Sequence, residues 1–494
     1  MKPWRGLSAA VVTLFALSAW ARQPSVDGTR TWSPPGFTLY APDAASASTV
    51  AEQFEPIQRA MAAFLGSEPG AAGIPLYIYV ASNSEWQQYL RPDMDARVAS
   101  VYVPTPFADY LLINPFFGGS EWKQELNQQL ARYFLRKLLR GDIPLWFSAG
   151  FAKLVGPTQI RGRLFEIGMA VQKADTPWVP MDRVLHMTPS APELSTNATH
   201  TFHYRAWTLV HRGLVADREF GARLFKYLDA VNDGVAIDQA VTTAFGMSVA
   251  DLDQQMQSYG RQISFRTAEI PFDPPPKLKL DRGRKLTDLE SVEVLADILF
   301  AWRARTAEFG DLIVATERLA PGSPAARLLR MRLAARQGTD AELDDALRLV
   351  GPALAEPDAS RTAGVALFYR IQRKIFGEEA ETPDLRAVAQ QTFDLLHRSE
   401  HALPADAESA WSYGLVAAWL GNDMEFAQQR IAALQAGMPM HSELAMASAA
   451  LLEKMGRFDE EIEQLVQVGK GARSFRQKLW AAQKIAELQK RPRQ

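Results

Sequence analysis

The chain has 494 residues, 47% of them hydrophobic, a formal net charge of −2 and no cysteine. This is enough apolar material for two or three packed domains. It rules out disulfides, thiolate metal sites, cysteine nucleophiles and the lipidated cysteine of a tethered lipoprotein, and the even charge balance gives no reason to propose nucleic acid or a polybasic membrane contact.

Residues 1–21 carry Lys2 and Arg5, then an apolar run from Leu7, then Ala19-Trp20-Ala21 before Arg22. A charged start, an apolar middle and a small-x-small end are the parts of a cleaved secretory signal, and the apolar run is shorter than the ~20 residues a membrane span needs. The expectation is an exported protein, periplasmic or secreted, with no integral membrane segment after cleavage. Asn197-Ala-Thr199 has the spacing of a glycosylation acceptor and is read as chance in such a bacterial protein.

Beyond the signal, Phe37–Tyr40 and Pro75–Val80 read as short strands around a helix at roughly 46–65, and Ser100–Val103 with Tyr110–Ile113 as a further strand pair. Phe117-Gly118-Gly119-Ser120 reads as a turn into a helix, with Ser120 as its N-cap. In that helix Leu126, Leu130, Phe134 and Leu138 recur every four residues and form an apolar stripe, while Gln128 and Arg132 lie on the opposite face. Glu121 and Glu125 fall in its first turns, where the helix dipole favours acidic residues.

The stretch Gln128-Gln129-Leu130-Ala131-Arg132-Tyr133-Phe134-Leu135, followed by Pro144-Leu145-Trp146-Phe147-Ser148-Ala149-Gly150-Phe151-Ala152, resembles the zincin pattern H-E-x-x-H-[aromatic]-L-L then P-x-W-x-x-E-G-x-A. The family is the gluzincin-type, peptidase MA-like domain of bacterial secreted proteins. Phe202–Val210, Phe225–Leu228, Ala244–Met247 and Leu252–Tyr259 are similar to its closing helices in order and spacing, so the resemblance spans roughly 35–262. It implies a zinc ion held by two histidines and a glutamate, with a second glutamate as general base. Here Gln128 and Arg132 stand at the histidine positions, Gln129 at the base and Ala149 at the third ligand. An amide is a poor zinc ligand, a guanidinium repels the cation, and alanine offers nothing. The expected cofactor set is therefore none, and the expected catalytic residues are none.

Lys153 stands where the family often has another acidic residue. With Arg132 and Gln128 it would turn a cation site into one suited to a carboxylate or another small anion. The competing expectation is a live peptidase whose zinc is held by His200, His203 or His211. Nucleophile elbows, phosphate-cradling loops and dinucleotide fingerprints are absent from the sequence.

Ile270–Pro276 through Arg284 is proline-rich and then basic, which reads as a semi-rigid linker at 266–286 between a domain at 30–265 and a helical region at 287–490. From Thr287 onward amphipathic helices alternate with breaks at Pro321–Pro324, Gly351-Pro352 and Gly437–Pro439. Trp411–Asn422 and Leu451–Ile462 resemble tetratricopeptide units, and Gly421 and Gly456 are separated by about one such repeat of ~34 residues. The expected fold is an α+β zincin-like domain followed by an all-α helical-repeat, tetratricopeptide-like domain. The expected role is binding of a protein or peptide, either in the front cleft or on the helices alone with the front domain as a spacer.

Overall fold

The computed structural model describes residues 29–66, 74–86, 90, 99–114, 121–139, 143–170, 178–188, 198–275, 278–302, 306–337, 340–375, 383–439, 441–472 and 475–490. Residues 1–21, expected as a secretory signal, residues 117–120, expected as a turn into a helix, and Asn197 lie outside these residues. Strands alternate with helices in the first half, and the second half is helical. Among the described residues no helix is long and apolar enough to cross a membrane.

The front half is built on a six-stranded mixed sheet of β1 (Arg30–Trp32), β2 (Thr38–Ala41), β3 (Leu76–Val80), β4 (Ser100–Pro104), β5 (Asp109–Ile113) and β9 (Arg284–Lys285). Its order is β4-β5-β3-β2-β1-β9, with β2, β3 and β5 parallel and the remaining pairs antiparallel. The β2-to-β3 crossover is α1 (Ala44–Leu65), whose start is capped by the Asp43 carboxylate accepting from Ser46 N at 2.7 Å. Leu39, Leu76, Ile78, Val80, Leu111 and Ile113 point to one face and join the core under α1 and under α2 (Glu121–Leu138). Tyr40, Tyr79, Val103 and Leu112, one residue out of phase, point to the other face.

That second face is covered from the helical half. Val292, Leu295, Ala296 and Leu299 of α8 (Asp288–Ala301) and Phe309 and Leu312 of α9 (Thr306–Leu319) form one core with it. The stretch 266–286, expected as a linker, is not a free tether. It contributes β8 (Ala268–Pro271), which extends the small sheet of β6 (Gln159–Arg161) and β7 (Leu164–Ile167), and then β9, which extends the main sheet. Trp32 Nε1 donates to Asp281 O at 3.1 Å, and its ring lies where any side chain on Gly283 (φ 64°) would be. Proline content and lost periodicity signalled irregular chain, and strands of four and two residues are too short for a period to be read.

After β5, α2 leads to α3 (Leu145–Val155), and the front half closes with α4 (Ala198–His211), α5 (Arg218–Asn232), α6 (Ile237–Phe245) and α7 (Val249–Gly260). Helices α10 (Pro324–Gln337), α11 (Asp340–Val350), α12 (Pro357–Ile375), α13 (Pro383–Ala402), α14 (Ala407–Leu420), α15 (Met424–Gly437), α16 (Ser442–Met455), α17 (Phe458–Gly471) and α18 (Phe475–Gln489) continue the chain. Each packs on the next, except that α11 meets α12 through the short Gly351–Ala355 turn, and α10, α12, α14 and α16 also pack on one another in series. The coarse expectation of a mixed α+β front followed by helices is met. Gly421 (φ 78°) and Gly456 (φ 73°) end α14 and α16 in the left-handed region, as C-cap glycines do.

A second joint ties the halves. The β4–β5 turn is closed by Thr105 N donating to Ala108 O at 2.9 Å. At its tip Phe107 lies 5.1 Å from the ring of Trp411 and 5.3 Å from that of His441, at the starts of α14 and α16. Behind it the fully buried Asp109 pairs with Arg136 of α2 and accepts from Tyr102 Oη at 3.0 Å.

Helices α3 and α4 approach closely, and Gly150 lies against the Ala206 carbonyl with no space for a Cβ. Gly150→Ala should lower the unfolding free energy by about 1–3 kcal/mol, as overpacking does. A denaturant midpoint equal to that of the wild type would contradict this packing.

Candidate functional site

Polar groups collect at the junction of α2, α3 and α4, where the sequence places its candidates, and in a cavity between the two halves.

At the first, β4 forms an edge of the main sheet, and its outer side runs along α2. Glu125 accepts from Ala99 N at 2.5 Å and also from the Ser100 amide, while Gln129 Nε2 donates to Ser100 O at 3.1 Å. The start of the strand edge is therefore satisfied by side chains of α2 in place of another strand. Arg132 Nη1 donates to Gln129 Oε1 at 2.5 Å. Gln128 packs its stem against Gly156 at the end of α3, next to the buried Asn127, which donates to Gly156 O at 3.2 Å and accepts from Gln53 at 2.8 Å. Ala149 is buried in the core of the front half. Gln128, Gln129 and Ala149 are thus held by packing or by their neighbours.

Arg132 and Lys153 do converge, and His203 of α4 joins them. Burial lowers the pKa of Arg132, with Glu125 opposing. Burial lowers that of Lys153 as well, and the Arg132 charge adds to it. Burial first, then Lys153, Arg132 and His200, push His203 down to about 3, so its ring is neutral. Burial raises the Glu125 carboxyl, although the amides of Ala99 and Ser100 and the charge of Lys153 act against it. The junction holds two cations against one carboxylate that is already engaged by backbone.

The histidines expected as substitute zinc ligands do not come together. His200 is exposed. His211 is fully buried, about 12 Å along α4 from His203 at 1.5 Å per residue. Its Nδ1 lies 2.6 Å from Tyr259 Oη, and its Nε2 lies 3.1 and 3.0 Å from the carbonyls of Gly168 and Arg266. With both nitrogens used, His211 is a pin between α4, α7 and the start of β8.

The second place is a cavity of about 700 Å³ lined by the β4–β5 turn, α8, α10, α12 and the start of α14. Arg332 donates to Asp297 at 2.6 Å and lies 4.4 Å from the Phe300 ring centroid. Tyr369 Oη donates to Glu408 at 2.5 Å, and burial raises that carboxyl's pKa. Tyr110 lines the same space and continues a row of stacked rings through Tyr77, at 5.5 Å, to Tyr40, at 6.4 Å. None of these residues forms a local motif. They come from separate elements, and only the packing of the helices on the sheet brings them to one wall.

No family model matches this chain, and no curated protein or solved structure matches it.

The His203 shift has a definite pH consequence. Its folded pKa lies below its ordinary value of 6.5, so on acidification the unfolded chain takes up the proton first. The stability linked to its neutral ring is complete above pH 6.5 and is lost as the pH falls towards about 3. His203→Gln should remove up to a few kcal/mol of that acid sensitivity, on the order of the shift. Parallel pH–stability curves for wild type and variant would contradict the assignment.

Proposed function

We propose that this is an exported, catalytically silent metallopeptidase-like protein that acts as a protein- or peptide-binding module. The observation that carries the reading is the state of the α2–α3 junction. Gln128, Gln129, Arg132 and Ala149 stand where the family resemblance puts zinc ligands and base, and each is committed to packing, to β4 or to a neighbour. Two cations at this junction oppose metal binding by simple charge repulsion. The zincin-like fold of the front half and the tetratricopeptide-like pairing of the helices belong to the same proposal, supported by the order β-strands, α2, α3, closing helices and then stacked helix pairs.

Binding has a suitable surface at the inter-half cavity. Aromatic side chains supply area at low entropy cost, and a few fixed polar groups supply direction. Phe107 and Tyr110 of the front half share this wall with Phe300, Arg332, Tyr369 and Glu408 of the helical half, which supports a joint binding role over a front half that is only a spacer.

Incubation of the full chain with a generic unfolded protein, with and without chelator, tests the silent reading: no chelator-sensitive cleavage is expected. Cleavage that is abolished by chelator and by Glu125→Gln would overturn it. Selection of a displayed random peptide library on the full chain tests the binding reading. Selected peptides should lose about tenfold or more in affinity on Tyr369→Ala, as truncation of a central aromatic anchor does. Unchanged affinity would move the binding surface elsewhere.

A further inference from the structure

The turn between α14 and α15 contains the one non-glycine residue with left-handed backbone among the described residues, Asp423 at φ 46° and ψ 35°. Aspartate enters this region more readily than most L-residues but still under strain, so a compensating interaction is expected. Asp423 also sits at the N-cap of α15 but makes no capping bond. The other aspartates at this position in the chain do cap: Asp43 accepts from Ser46 N at 2.7 Å, Asp217 from Phe220 N at 3.0 Å and Asp406 from Ser409 N at 2.9 Å. Asp423 gives up the cap, and its carboxylate turns towards α13.

There it meets two histidines one helical turn apart. Asp423 Oδ2 lies 3.0 Å from His397 Nδ1 and 3.4 Å from His401 Nε2. Tyr413 Oη donates to the same oxygen at 2.6 Å and lies 3.0 Å from His397 Nδ1. Tetrahedral bonds of 2.0–2.1 Å to zinc place ligand atoms about 3.3 Å apart, which matches the two imidazole–carboxylate separations. His397, His401 and Asp423 are 43%, 45% and 32% exposed at the side chain, so the group is open to ions and to a water ligand. The His401 ring is fixed by stacking on Phe426 at 3.8 Å, so little ordering remains to be done on binding.

We infer that His397, His401 and Asp423 form a binding site for a divalent transition-metal ion of the zinc class, with the Tyr413 hydroxyl beside them holding the carboxylate by a hydrogen bond. Two imidazoles and one carboxylate suit zinc, cobalt, nickel or copper and do not suit calcium or magnesium, which take oxygen shells. A bound ion would cross-link α13 to the α14–α15 turn. The site lies in the helical half and is independent of the reading of the front half as silent.

Titration of the chelator-stripped full chain with zinc chloride, followed by calorimetry, and with cobalt chloride, followed by visible absorption, tests this directly. Saturable zinc uptake, a tetrahedral cobalt spectrum and a rise in melting temperature with zinc are expected. Asp423→Asn keeps a side chain that tolerates the left-handed backbone and should abolish all three. Tyr413→Phe should weaken zinc by about 10- to 100-fold, as loss of an outer-shell partner does. Circular dichroism of both variants separates loss of the site from loss of the fold. Absence of saturable uptake by the wild type overturns the inference. So does uptake that survives Asp423→Asn and the double substitution His397→Ala/His401→Ala, which would place the ion elsewhere, for example at the exposed Asp182, His186 and Asp238.

Discussion

Burial of both faces of the main sheet is the constraint on which the other arrangements depend. A mixed sheet whose central strands are parallel needs cover on each side, because its strands alternate apolar residues to both. α1 and α2 cover one face, and the second is covered only when α8 and α9 fold back from the helical half. That requirement draws the stretch 266–286 across two sheets, brings α10, α12 and α14 beside the β4–β5 turn, and creates the cavity between the halves. Two halves joined through a shared core should not move as independent beads on a tether.

The same packing decides the chemistry available at the α2–α3 junction. A zinc site needs ligands converging on an open point, with hydrogen-bonded neighbours that hold them there. At this junction the polar side chains converge instead on backbone and on one another: Glu125 on the amides of β4, Gln129 on the Ser100 carbonyl, Arg132 on Gln129. Filling an edge strand's hydrogen bonds from within also blunts that edge against pairing with another chain. What remains is a partly desolvated pair of cations, Arg132 and Lys153, beside a neutral His203. Two like charges there repel a metal cation.

Several elements were legible in the sequence because their signal is local. The strands at Phe37–Tyr40, Pro75–Val80, Ser100–Val103 and Tyr110–Ile113 show alternation or β-branched and aromatic runs, and the Leu126–Leu138 stripe gives α2 its face. β1, β6, β7, β8 and β9 are too short or too exposed to carry a period, and pairing across more than 250 positions, as Arg30 with Lys285, leaves no local trace. The spacing of His397 and His401 could be read as one helical turn. Nothing local says that Asp423 abandons its helix cap to meet them.

Residue identity and spacing alone establish which residues are chemically capable. The chain contains no cysteine, has no histidine or glutamate at the positions the family resemblance assigns to zinc, and carries a helical period through most of its second half, all of which follow from residue identity and spacing. Which of those residues meet depends on packing between distant parts of the chain. His203 joins Lys153 and Arg132 while His211 is consumed by Tyr259 and two carbonyls, and Glu408, Tyr369 and Tyr110 line one cavity. The physical reason is one of range. Periodicity and capping act over a few residues, whereas the cover of a sheet's second face is set by apolar area that another part of the chain must supply.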